Sequence, residues 1–192
     1  DIDIWILENN YPVVEDLLQQ LGYHKDPLYP GSFRKGLTKF DVRTHIFWAD
    51  RIYSRKYMLA VRQEKLFADL QTIQLDDSPV LTLNKYDQVV YLTLHAIKHW
   101  IACLIWLVDI LRLTEGWQTS DWRRCMARAA MIGQHKAVSY ALFLMNDIFA
   151  PTDSGSYLEQ LDLPRLDILE RYVLRRRKKS GALPAWTPLY LF

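Results

Sequence analysis

Cysteine is scarce in this chain: two of 192 residues, Cys103 and Cys125. Both sit in apolar, helix-like surroundings. A disulfide framework is therefore excluded as the organising device, and buried free thiols in a reducing compartment are expected. A basic-then-apolar leader is missing, because the first residues are acidic. The most apolar window, from Trp100 to Val108, is too short to cross a bilayer and is flanked by His95, Lys98, His99 and Asp109. No membrane span is expected, and a cytoplasmic protein follows. Charge of one sign is also in short supply. The formal net charge of +2 is too mild to argue for nucleic acid by itself. There is no Gly-x-x-x-x-Gly-Lys loop to cradle phosphates, no internal repeat and no low-complexity segment.

What is present is a chain that is 50% hydrophobic and rich in aromatics, sufficient for a substantial core. It opens on Asp1-Ile2-Asp3-Ile4-Trp5-Ile6, with carboxylates at alternate positions of an apolar run. In a strand, residues i and i+2 share a face, so Asp1 and Asp3 would project side by side. Either this is a solvent-facing strand edge, or a cation sits between the two repelling carboxylates. A third carboxylate, Asp41 in Lys39-Phe40-Asp41-Val42, would complete an oxygen-ligand site if its strand lay alongside. The chain begins without Met, directly on this strand, so it is expected to be a fragment, a processed chain or one lacking its true N-terminus.

The alternation and breakers predict an α+β protein: a small mixed-sheet core over residues 1–79, then a helical bundle over 80–192. After the first strand, Pro12 opens a helix whose expected apolar face is Val13, Val14, Leu17, Leu18 and Leu21, ended by Gly22. Ser32–Arg34 and Thr38–Trp48 read as strands around a Lys35-Gly36 turn, with Asp41, Arg43 and His45 on one face of the second. A short helix is expected over Tyr57–Phe67, an extended piece over Leu70–Leu75 and a break at Asp76-Asp77-Ser78-Pro79. Asn84 is a plausible cap for one long helix, Lys85–Leu113. Ser120 is expected to cap a helix over Asp121–Ile132, before helices over Gln134–Phe149 and Leu163–Lys178.

This order of motifs resembles the nucleotidyltransferase superfamily that includes DNA polymerase beta. It resembles more closely a largely uncharacterised bacterial nucleotidyltransferase-like family with a helical C-terminal half. The matching stretches are Asp1-Ile2-Asp3-Ile4, Leu17-Leu18-Gln19-Gln20-Leu21-Gly22-Tyr23 and Phe40-Asp41-Val42-Arg43-Thr44-His45-Ile46-Phe47-Trp48. They continue through Leu94-His95-Ala96-Ile97-Lys98-His99-Trp100, Leu104 to Ile110 and Asp121-Trp122, covering roughly Asp1 to Pro151. The resemblance implies Asp1 and Asp3 as paired metal ligands and Asp41 as the third catalytic carboxylate. It implies Mg²⁺, or Mn²⁺, as cofactor and an NTP as substrate, with a nucleoside monophosphate moved to a small molecule, peptide or RNA acceptor. The superfamily's phosphate-holding Gly-Ser turn precedes the first Asp-x-Asp strand. None precedes Asp1, and Gly31-Ser32, lying between the carboxylates, is read as an unrelated turn. Catalysis is expected if a longer chain supplies that motif. The alternatives are a degenerate homologue that binds or scaffolds, and a toxin- or antitoxin-type nucleotidyltransferase with a protein or RNA partner.

Several other residues carry open readings. Arg43 and His45 would contact phosphate or acceptor, or screen the acidic cluster. His95 and His99, one helical turn apart, are ligands of a metal, polar residues at a domain seam, or cleft residues of the nucleotide site as the resemblance suggests. Lys98 would reach a phosphate or remain solvated. Arg175-Arg176-Arg177-Lys178-Lys179 suits a helix C-terminus or an anionic surface. The aromatic tail with Trp186, Tyr190 and Phe192 is expected to pack on the body or on a partner protein.

Overall fold

The computed structural model describes residues 2–46, 59–98, 104–149, 166–168 and 170–172, without the side chains of Phe67 and Lys98. The fold is α+β: a mixed sheet with helices. Two compact units divide it, Asp1–Lys65 and Leu66–Phe192.

In the first unit, β1 (Ile2–Trp5), β2 (His24–Lys25), β3 (Ser32–Lys35) and β4 (Thr38–Arg43) form a sheet of order β1-β4-β3-β2. β3 and β4 form an antiparallel hairpin with Lys35 opposite Thr38. Gly36, at φ 59, supplies the positive φ that a two-residue hairpin loop requires. β1 is parallel to β4, with Asp3 opposite Asp41 and Trp5 opposite Arg43. That pairing needs a crossover, which α1 (Tyr11–Gln20) provides. α1 ends in a Schellman-type cap, with Tyr23 N–H donating to Leu18 O and Gly22 N–H to Gln19 O.

Leu18, Phe33 and Val42 are the buried centre of this unit, packed against Ile4, Ile6, Tyr11, Val14, Tyr23 and Phe40. Each fully buried side chain of this size contributes roughly 1.5–3 kcal/mol relative to exposure. The expected apolar face of α1 is corrected here. Val14 and Leu18 face the sheet, but Val13 is 68% exposed and Leu17 and Leu21 are exposed too. Val13 and Leu17 lie about 100° round the helix from Val14 and Leu18, and a sheet of short strands accepts only one stripe.

β4 ends at Arg43, not at Trp48. Thr44–Ile46 turns away, held by the Gln63 amide, which donates to Thr44 O (2.9 Å) and accepts from Ile46 N–H (3.3 Å). His45 is therefore buried beyond the strand end rather than on Asp41's strand face. The helix expected over Tyr57–Phe67 shortens to α2 (Glu64–Phe67).

The second unit opens with an antiparallel hairpin, β5 (Gln71–Leu75) and β6 (Ser78–Thr82), so the break at Asp76-Asp77 is a hairpin loop. Then come α3 (Lys85–Lys98), α4 (Ile105–Leu113), α5 (Thr119–Ile132) and α6 (His135–Phe149). Asn84 does cap α3, its Oδ1 accepting from Tyr86 and Asp87 N–H groups. The single helix expected over Lys85–Leu113 is instead α3 packed side by side with α4. Eleven residues of one helix would separate His95 from Trp106 by about 16 Å, yet their rings lie 5.3 Å apart, edge to face. Folding back buries Leu107 and Ile110 of α4, which a lone rod would leave without cover. The N-cap of α5 is Gln118, in a capping box with Asp121, rather than Ser120. Of the helix expected over Leu163–Lys178, residues 168 and 170–172 are helical; the remainder lies outside the described residues.

Candidate functional site

Strand alternation gives the first unit's sheet two unlike faces. Phe33, Phe40, Val42 and Ile4 point toward α1. The register places Asp3 of β1, Lys39, Asp41 and Arg43 of β4, and Ser32 and Arg34 of β3 on the opposite face. Asp41 stands at the centre, with Asp3 opposite on one side and Ser32 on the other.

Asp3 is exposed, whereas Asp41 is only 7% exposed. One oxygen of Asp41, Oδ2, accepts from Lys39 Nζ at 2.7 Å and lies 3.6 Å from the Arg43 guanidinium. The other, Oδ1, is buried with no hydrogen-bond partner among the described residues, and so is Ser32 Oγ. Burial pushes the Asp41 carboxyl upward. The Lys39 hydrogen bond, the nearby Ser32 hydroxyl and the charges of Arg43 and Lys39 outweigh it and hold the group below its ordinary 3.8. Asp41 is thus ionised at neutral pH, with Oδ2 taken by Lys39 and the Ser32 hydroxyl as a further polar neighbour. A buried, ionised carboxylate is the kind of oxygen donor a hard divalent cation takes, but here the Lys39 ammonium and the Arg43 guanidinium stand on it.

Gly31 fixes this geometry. At φ 88 it adopts a left-handed conformation, its carbonyl accepts from Val42 N–H at 2.7 Å, and a Cβ there would meet Val42 O at 2.5 Å. Gly31-Ser32 is therefore built into the sheet beside Asp41, although its sequence reads as a plain turn.

Among the residues singled out from the sequence, Asp3 and Asp41 are brought together and Arg43 adjoins them. His95 lies on α3 of the second unit, against Trp106 and Tyr91. Asp1 and His99 lie outside the described residues, as does the side chain of Lys98. Among the described residues no three or more His, Cys, Asp or Glu side chains gather as a metal group, and no helix is long and apolar enough to cross a membrane. Lys39, Ser32 and Arg34 were not singled out in advance; the signals for them were alternation from Asp41 and the hairpin register set by Gly36.

The profile of a family described as uncharacterised nucleotidyltransferase matches residues 1–150, more than half the chain. The chain belongs to this nucleotidyltransferase family. A nucleotide is accordingly the family's implied partner. No curated protein and no solved structure matches the chain significantly.

Proposed function

We propose that this protein transfers a nucleoside monophosphate from an NTP to an acceptor hydroxyl, with Mg²⁺ or Mn²⁺ held by Asp1, Asp3 and Asp41. The observation that carries this reading is the pairing of Asp3 with Asp41 across parallel strands, with Asp41 buried and ionised. A bound divalent cation would neutralise the triphosphate and stabilise the leaving pyrophosphate oxygen. The acceptor oxygen forms a bond to the α-phosphorus, the bond to the bridging oxygen breaks, and Asp41 is the group placed to receive the hydroxyl proton. Its lowered pKa makes it first a ligand and only then a base. Arg43 would contact the phosphates; His45, and separately His95, Lys98 and His99, are further candidates for nucleotide or acceptor binding. A helical domain over 80–192 and a cytoplasmic setting belong to the same reading.

A second reading, a degenerate homologue that binds or scaffolds, is favoured by the Lys39 ammonium seated on Asp41 Oδ2, where it competes with a metal. Incubation of the protein with each α-labelled NTP, Mg²⁺ and cell extract separates the two. Transfer that falls roughly a hundredfold or more in Asp3→Asn and Asp41→Asn, the size expected on losing a preorganised charge-stabilising group, supports the enzyme. No transfer together with no Mg²⁺ or NTP binding supports the scaffold.

A further inference from the structure

Beside the carboxylate row, the same sheet face carries a second row. His24 of β2 is opposite Arg34 of β3, and Arg34 is opposite Lys39 of β4. Partners in register share a face, so three basic side chains line up across three strands, one step along β4 from Asp41. Arg34 and Lys39 are cations placed directly opposite, which is unfavourable in a sheet unless anions offset them. Each cation has one carboxylate neighbour in the fold. Lys39 is committed to Asp41. Arg34 Nε reaches Asp26 Oδ2 only at 3.9 Å, too far for a hydrogen bond, and its side chain is 63% exposed. His24 is exposed as well.

With strands about 4.8 Å apart, the row spans about 10 Å and ends at Lys39, whose ammonium bonds Asp41 Oδ2. We infer that His24 and Arg34 hold the phosphate of a phosphate-bearing acceptor, guiding its hydroxyl toward Asp41. The inference rests on the nucleotidyl-transfer reading and sharpens it: the acceptor is anionic, and a polycation would be repelled. The guanidinium fork of Arg34 suits phosphate, and the exposed Tyr29, in the loop that leads into β3, offers a ring for a base.

Binding tests this without turnover. The intact protein is titrated, with fluorescence anisotropy as readout for a labelled ten-nucleotide single-stranded RNA and calorimetry for a nucleoside 5′-monophosphate and for Mn²⁺–ATP. His24→Glu and Arg34→Glu lie on the exposed face and leave Lys39 and Asp41 in place. Each is expected to weaken RNA or monophosphate binding about tenfold and to reduce the magnitude of the RNA salt slope by about 1, with Mn²⁺–ATP binding kept. Binding of the RNA identifies a nucleic-acid acceptor; binding of the monophosphate alone identifies a small phosphorylated one. Wild-type protein that binds neither probe overturns the inference, as do variants that bind like wild type or that lose Mn²⁺–ATP instead. Failure of the transfer reading is distinguishable, since wild-type protein would then bind no Mn²⁺–ATP while the row's affinity for RNA or monophosphate stays measurable.

Discussion

Gly31 shows how one residue sets the geometry around Asp41. Its left-handed φ and the 2.5 Å approach of a would-be Cβ to Val42 O leave no side chain a place there. The atom in the way is backbone of β4, which cannot retreat without straining the Val42 N–H to Gly31 O bond. Gly31→Ala is therefore expected to destabilise the protein by about 2 kcal/mol or more, read as a lower urea midpoint with an unchanged slope. At this scale the sequence was partly legible. Alternation alone puts Asp41 with Arg43; Asp1, expected beside Asp3, lies outside the described residues. The same rule, applied one step back, reaches Lys39. Ser32 needed the hairpin register as well, and Gly31-Ser32 looked like a turn because turn chemistry and a left-handed glycine at a strand start use the same residues. His45 was misplaced because the end of β4 is set by Gln63, a residue far along the chain whose bonds no local pattern reveals.

Among the elements, α3 and α5 are joined by a buried ion pair. Arg128 grips Asp87 with two bonds of 2.6 and 2.7 Å, and Asp87 is 2% exposed. Removing one partner strands the other charge in the interior. Arg128→Ala is expected to cost about 3–5 kcal/mol in denaturant unfolding. Asp69 also meets Arg128, at 2.7 Å, but its side chain is half exposed, so Asp69→Ala is expected to cost less than about 1 kcal/mol. Helix caps based on Asn84 and Gly22 were readable because capping is local. The separation of α3 from α4 is not: the apolar run from Trp100 to Val108 contains neither Gly nor Pro to signal it. The hairpin of β5 and β6 carries no strong sequence signal, because its loop is Asp76-Asp77, with Asp76 at φ 51, rather than the glycine turn that marks most hairpins.

For the whole molecule, acid sensitivity is shared between the two units. Asp41 in the first is held below its ordinary 3.8. Glu170 in the second is raised by burial, then brought below 4.5 by bonds from Tyr140 and Asp167 N–H and by Lys136. A carboxyl whose folded pKa is lowered adds stability that is fully present above the unfolded value and lost as pH falls through the folded one. The unfolding temperature is thus expected to hold down to about pH 5 and to fall below about pH 4.5. Glu170→Gln should flatten that fall when thermal unfolding is followed by circular dichroism. Fold class was legible from the shift between alternating and helical periodicity, whereas the division at Lys65 carries no Pro or Gly signal and depends on where contacts thin out.

The parallel pairing of β1 with β4 also has a temporal consequence. Asp3 and Asp41 meet only after the intervening helix and hairpin have closed the loop between them. During synthesis, β1 leaves the ribosome with its acidic residue exposed and no neighbour, and it waits until the other side of the pair emerges. A half-made chain therefore lacks the Asp3–Asp41 pairing that the proposed transfer would require.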